Sequence, residues 1–153
     1  FPDDYINNIS ERLNLYTQLN DLKTEKELEE FEQKLVDRFG ELPPQAKDLL
    51  NSLRIKWIAV KYGMEKVVMK NNKLICFFIA DQQSKFYQSP AFSKMLQFVQ
   101  QYAHRVTLKE KKSTKGLRLI LTAPGIKSVD KAFEVLSPLM PKEVVTSSVA
   151  PKA

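Results

Sequence analysis

The side chains of this chain that could do chemistry are few and scattered. His104 is the one histidine, with no second His or Cys at ligand spacing, so a surface or capping role fits it better than a metal or catalytic one. Cys76 is the one cysteine and sits in the apolar run "LICFFI", the setting of a buried structural thiol rather than a nucleophile. It can form no internal disulfide, which fits a reducing, cytoplasmic setting. The adjacent acids Asp3-Asp4 and Glu29-Glu30 fall in terminal or amphipathic segments, where a hydrated surface is a simpler reading than a general acid and base. The motifs GxxxxGK(S/T), GxGxxG, CxxC, HExxH and GxSxG are all absent. With 4 glycines in total, the chain cannot build a rich phosphate cradle. The expectation is a chain without catalysis, cofactor or metal of its own.

Binding chemistry has a stronger signal, in charge. Residues 1–50 carry 12 acidic against 6 basic side chains, and residues 51–153 carry 6 against 18, so a net charge of +6 hides a dipole along the sequence. Such asymmetry fits two kinds of partner, a basic protein surface for the first part and a phosphate or acidic surface for the second. In the second part Lys109, Lys111, Lys112, Lys115 and Arg118 cluster on one segment, a protrusion that could meet nucleic-acid phosphates. A charged hairpin tip is the competing reading, and no aromatic residue is interleaved there as a stacking platform. Phe86 and Tyr87, in "SKFYQSP", are either exposed anchors or part of the core.

The elements that must position these residues follow from periodicity. A first helix over residues 8–22 sets Ile9, Leu13 and Tyr16 beside Leu15, Leu19 and Leu22. A second opens on Thr24 with Glu27 three residues on, a reciprocal capping box, and buries Leu28, Phe31, Leu35 and Phe39. Gly40 ends it in the left-handed region, and Pro43-Pro44 suits the first turn of a third helix, where a missing N–H costs nothing. That helix runs to residue 62 with a stripe of Ala46, Leu49, Leu50, Leu53, Trp57 and Val60, and Trp57 is expected to be largely buried.

After Gly63 the period becomes alternating. "KVVMKNNKLICFFI" reads as a hairpin around Asn71-Asn72, Ser89-Pro90 opens a helix carrying Phe92, Met95, Leu96 and Val99, and "RVTLKEKKSTKGLRLILTA" reads as a second hairpin. A last helix starts at Ser128 and packs Val129, Phe133, Leu136 and Met140. The predicted class is α+β: an N-terminal three-helix part, then ββαββα, with an antiparallel sheet covered by helices on one face. Residues 1–141 read as a single domain, helical over 1–63 and sheet over 64–141, with a flexible tail over 142–153. No apolar run approaches the roughly 20 residues of a membrane-spanning helix, and a monomer is expected. The opening "FPDDYINN" has neither an initiator Met nor a signal-peptide pattern, so the chain reads as a fragment of a longer protein.

Four segments of the helical part carry a resemblance. "PDDYI" at Pro2 to Ile6, "RLNLY" at Arg12 to Tyr16, "KTEKEL" at Lys23 to Leu28 and "DRFGELP" at Asp37 to Pro43 closely resemble the start of the C-terminal domain of bacterial transcription-repair coupling factors. The ββαββα order of the remainder is compatible with the same domain. In that family an ATP-dependent DNA translocase displaces stalled RNA polymerase and recruits the excision-repair ATPase that recognises damage. The C-terminal domain docks on the protein's own N-terminal excision-repair-like module and hides its recruitment surface until polymerase is engaged.

The resemblance therefore implies a non-catalytic, autoinhibitory docking domain with little or no DNA binding of its own. Its polymerase and repair-ATPase partners would be indirect ones. The helix ending in Asp37-Arg38 is similar to the family's docking element, whose carboxylates face arginines of the masked module. Asp37 keeps that feature. One turn earlier, where relatives can carry Glu, this chain has Lys34, so the docking pattern must be partly rebuilt, with Glu30 or Glu41 as substitutes. The competing class is an auxiliary nucleic-acid-binding domain that uses the basic cluster.

Overall fold

The computed structural model describes residues 1–113 and 116–140, so Lys115 and the expected tail over 142–153 lie outside the described residues. The chain divides into two compact units, one built on Phe1–Leu53 and the other on Arg54–Met140, and the division falls inside the third helix.

The first unit contains α1 (Ile9–Asp21), α2 (Glu25–Phe39) and the first half of α3 (Pro44–Lys61). Local chemistry sets each boundary. The Asn8 side chain accepts from the Glu11 N–H at 3.0 Å and starts α1. The predicted capping box starts α2: Thr24 Oγ1 accepts from the Glu27 N–H at 3.1 Å, and the Glu27 carboxylate accepts from the Thr24 N–H at 3.2 Å. Gly40, at φ 89°, ends α2 and donates to the Val36 carbonyl at 2.9 Å. The Pro43 carbonyl then takes the N–H groups of Ala46 and Lys47, which opens α3 immediately after that corner.

Ile6, Leu15, Leu19, Leu28, Phe31, Leu35, Leu42, Ala46 and Leu50 are the buried apolar side chains of this unit. Each of the Ile, Leu and Phe side chains contributes about 1.5–3 kcal/mol by leaving water. Two sequence expectations fail here. Ile9 and Leu13 are 64% and 61% exposed, because α1 turns its Leu15–Leu19 side inward and the competing Ile9–Leu13 ridge outward. Phe39 is half-buried rather than core.

The second unit holds the rest of α3, a four-stranded antiparallel sheet and two helices. The strands are β1 (Met64–Lys70), β2 (Lys73–Phe78), β3 (Thr107–Ser113) and β4 (Gly116–Pro124), in the order β1-β2-β4-β3. Between and after them lie α4 (Pro90–Gln101) and α5 (Val129–Leu136), in the expected ββαββα sequence. Asn71 and Asn72 take φ 52° and 60°, the left-handed pair that the predicted two-residue hairpin needs. Ser89 caps α4, its hydroxyl accepting from the Phe92 N–H at 3.4 Å.

The core of this unit gathers Leu74, Cys76 and Phe78 of β2, Leu121 and Ala123 of β4, Met95 and Phe98 of α4, Ala132, Val135 and Leu136 of α5, Ile58 of α3 and Tyr62 just after it. Helices thus cover one face of the sheet. Trp57 is only half-buried and Val60 is 76% exposed, so Ile58 and Tyr62 take the buried places expected of them. Phe86 and Tyr87 lie in a short 3₁₀ turn, half-buried, with Phe86 packed against this core and edge-on to Phe92. Among the described residues no helix is long and apolar enough to cross a membrane.

Cys76 is fully buried, and desolvation pushes its thiol up to about 12. At pH 8 the thiolate is then scarce as well as inaccessible. A disulfide exchange reagent is expected to leave the native chain unmodified at that pH and to label one thiol per chain once denaturant is added; rapid native labelling would contradict this burial.

Candidate partner-docking site

The candidate residues on α2 share one ridge. Glu30, Lys34 and Asp37 stand at i, i+4 and i+7, a spacing that stacks side chains along one helix face, and all three are exposed. Arg38 and Glu41 are exposed as well, Glu41 lying just past the Gly40 corner. Between α1 and α2 runs a cleft of about 190 Å³, with Leu15, Phe31 and Leu35 among its apolar walls and Lys34, Asp37 and Arg38 at its rim. Apolar surface beside fixed charge is the make-up of a small docking edge.

Asp37 and Arg38 are adjacent but play different parts. Arg38 forms an ion pair with Glu11 of α1 and lays its guanidinium 4.8 Å from the centre of the Phe39 ring, so its charge is already answered within the unit. Asp37 accepts a hydrogen bond from Gln33 Nε2 at 2.9 Å and forms no ion pair among the described residues. Pairing with Lys34 or Arg38 is therefore not what holds this carboxylate. A neutral amide orients it without an ion pair, at the helix end whose dipole disfavours an acid.

The remaining motif residues build the frame around that acid. Tyr5 Oη donates to the Gly40 carbonyl at 2.9 Å and so ties the N-terminal segment to the end of α2. Arg12 pairs with Asp3 at 3.0 Å and donates to the Ile6 carbonyl at 2.7 Å, which fixes the turn that carries Tyr5. Ile6, Leu28 and Leu42 are buried and anchor three of the four motif segments in the core. Burial raises the Tyr5 phenol above its usual range, so it stays a neutral donor through physiological pH. The sequence could not assign Tyr5 and Arg12 these roles, since each acts on a carbonyl or carboxylate supplied by another segment.

The basic candidates of the second unit divide by strand alternation. Lys109 and Lys111 share one face of β3, while Lys112 lies on the other face with Leu108, and Lys115 is outside the described residues. Arg118 is engaged: its Nε donates to the Phe78 carbonyl at 2.9 Å and its Nη2 pairs with Glu65. No three of His, Cys, Asp and Glu come together as a metal-holding group among the described residues.

A helical unit framed on Tyr5, Arg12 and Gly40, followed by a ββαββα unit, defines an α+β domain of one recognisable class. The chain belongs to the TRCF domain family, found in transcription-repair coupling factors, and residues 1–89 match the model of that family. It is 44% identical over 66 residues to the transcription-repair-coupling factor of Escherichia coli (strain K12), a match covering 43% of this chain and 6% of that protein. Against the Rickettsia conorii protein of the same name it is 30% identical over 109 residues, covering 71% of this chain and 9% of the relative. The chain thus spans less than a tenth of the length of these relatives. The crystal structure of the C-terminal domain of a transcription-repair coupling factor has the same fold, with a TM-score of 0.66 at 18% identity, over 96% of this chain and 86% of that one.

Proposed function

We propose that this chain is a non-catalytic regulatory docking domain of a transcription-repair coupling factor. It binds the N-terminal excision-repair-like module of the same protein and masks the surface that recruits the damage-recognition ATPase. In the parent protein, a DNA translocase acting on stalled RNA polymerase, engagement of polymerase would release the mask. The observation that carries this reading is the exposed carboxylate of Asp37 at the C-terminal end of α2, held by the Gln33 amide and in no ion pair among the described residues.

Preorganisation supports the assignment. The capping box, the Gly40 corner and the Tyr5 and Arg12 contacts fix the ridge before any partner arrives, so little side-chain entropy is lost on docking. A small polar edge also suits a mask that must open, because allosteric release works within a coupling of about 1–3 kcal/mol. Glu30 and Glu41, both exposed on either side of Asp37 along the chain, are the acids available to replace the carboxylate that Lys34 removes.

The test is direct binding of this chain to the separately expressed N-terminal module. Saturable one-to-one binding that weakens as salt rises is expected, since the contact is between opposite charges. Absence of binding at physiological salt, with both partners folded, would overturn the proposal.

A further inference from the structure

The face of the sheet opposite the helices carries a pattern set by strand register. Residues directly opposite in an antiparallel pair share a face, so the register lines up Lys66, Phe77, Ile120 and Lys109 as one row across all four strands. Beside it run Val68, Ile75, Thr122 and Thr107. Lys70 and Lys73 close one end, and Arg118 and Lys111 the other. An apolar centre is thereby ringed by cations.

None of Val68, Ile75, Phe77 and Ile120 belongs to the helix-covered core, and all four are partly exposed. The five lysines are exposed, and none forms an ion pair among the described residues. Glu65, next to Lys66 on β1, is taken by Arg118. Phe77 has the Lys66 ammonium and the Arg118 guanidinium each 5.6 Å from its ring centre.

We propose that this open sheet face binds single-stranded nucleic acid, with bases laid on Phe77, Ile75 and Ile120 and phosphates on the surrounding lysines. Adjacent strands lie about 4.8 Å apart, so Lys66 and Lys109 on the outer strands stand on the order of 14 Å from each other, with the apolar strip between them. Unstacked bases can cover that strip while the backbone reaches the rim. A duplex offers the lysines its phosphates but keeps its base faces stacked away from the strip. An acidic peptide would satisfy the charges and leave the aromatic centre without a planar partner. The face lies wholly in the second unit, and the Asp37 ridge in the first, so the two proposals stand or fall separately.

The experiment is a fluorescence anisotropy titration of the 153-residue chain with a labelled mixed-sequence deoxyoligonucleotide, as a single strand and annealed to its complement. The single strand is expected to bind at least roughly tenfold tighter than the duplex, and to weaken as salt rises. Lys109→Glu/Lys111→Glu should weaken single-strand binding by roughly tenfold or more. Phe77→Leu should weaken it while leaving the salt slope unchanged.

Lys85→Glu/Lys94→Glu is the matched control: the same charge change on exposed residues of the second unit that are not on this face. It should alter binding little. Circular dichroism of each variant establishes that the fold is kept. Equal affinity for duplex, equal loss in the control pair, or binding of a polyglutamate peptide without binding of oligonucleotide would each overturn the proposal.

Discussion

Asp37→Arg is expected to leave the melting temperature of the chain unchanged or slightly raised, and to weaken docking on the N-terminal module by on the order of 1–3 kcal/mol. The two expectations come from the same geometry. Asp37 stands in the last turn of α2, where the helix dipole disfavours a carboxylate and favours a cation, and its intramolecular partner is one neutral amide, Gln33. Removing that hydrogen bond costs little at an exposed site, and the new cation gains from the dipole. At the proposed docking edge the same change would remove an attraction to a partner arginine and add a repulsion.

Asp21→Arg is the matched comparison, an exposed acid at the last position of α1 undergoing the same change of charge and the same change at a helix end. It should leave docking nearly intact if the Asp37 effect is a local contact. Calorimetric titration against the N-terminal module measures both. Equal weakening by the two variants would reduce the effect to long-range charge, and intact docking in Asp37→Arg would remove the named residue from the proposal. In the full-length protein, Asp37→Arg should raise affinity for the repair ATPase in the absence of polymerase.

Local signals were the legible part of this fold. The Thr24–Glu27 box, the Asn71-Asn72 turn, the Gly40 stop and the Ser89-Pro90 start each involve residues within a few positions of each other, so the chain states them outright. What α3 buries was not legible, for a reason that can be worked through. At 3.6 residues per turn, Val60 falls only about 40° from the direction of Ala46, whereas Tyr62 falls about 160° away. A single stripe extended from Ala46 therefore predicts Val60 as buried and Tyr62 as exposed. The structure shows the reverse, because residues after Leu53 belong to the second unit, whose own core takes Ile58 and Tyr62.

The two candidate sites differ in the same way. The acidic ridge is spaced along one helix and could be read directly, although the absence of an ion pair at Asp37 among the described residues could not. The open sheet face depends on β2 lying beside β4, which joins Phe77 to Arg118 and Ile120 across a long stretch of chain. Read along the sequence, the basic segment over 107–118 has no aromatic neighbour. Read across the sheet, it has one.

Gly63→Ala is expected to destabilise the second unit by roughly 2–5 kcal/mol, the sum of about 1–2 for a left-handed non-glycine residue and about 1–3 for overpacking. Gly63 joins α3 to β1 at φ 66°, and a Cβ built on it meets the Phe86 ring at 2.7 Å from Cδ2 and 2.9 Å from Cε2. The ring has little room to yield, since it is stacked near Phe78 and edge-on to both Tyr87 and Phe92. The backbone has little room either, because the Gly63 carbonyl takes the Ile79 N–H at 2.8 Å just past the end of β2. Gly40→Ala is the comparison without a steric clash: at φ 89° and ψ −168°, a region confined almost wholly to glycine, and with nothing within 4 Å of the added carbon, it should cost about 1–3 kcal/mol from backbone conformation alone. Thermal melts should show Gly63→Ala lower by roughly 5–15 °C. A double-mutant cycle supplies the decisive arm, because shrinking the ring with Phe86→Leu should make the alanine at position 63 cheaper by about 1 kcal/mol or more. If the cycle shows no coupling, then backbone conformation alone accounts for the glycine and the contact with Phe86 is not what fixes the turn into the sheet.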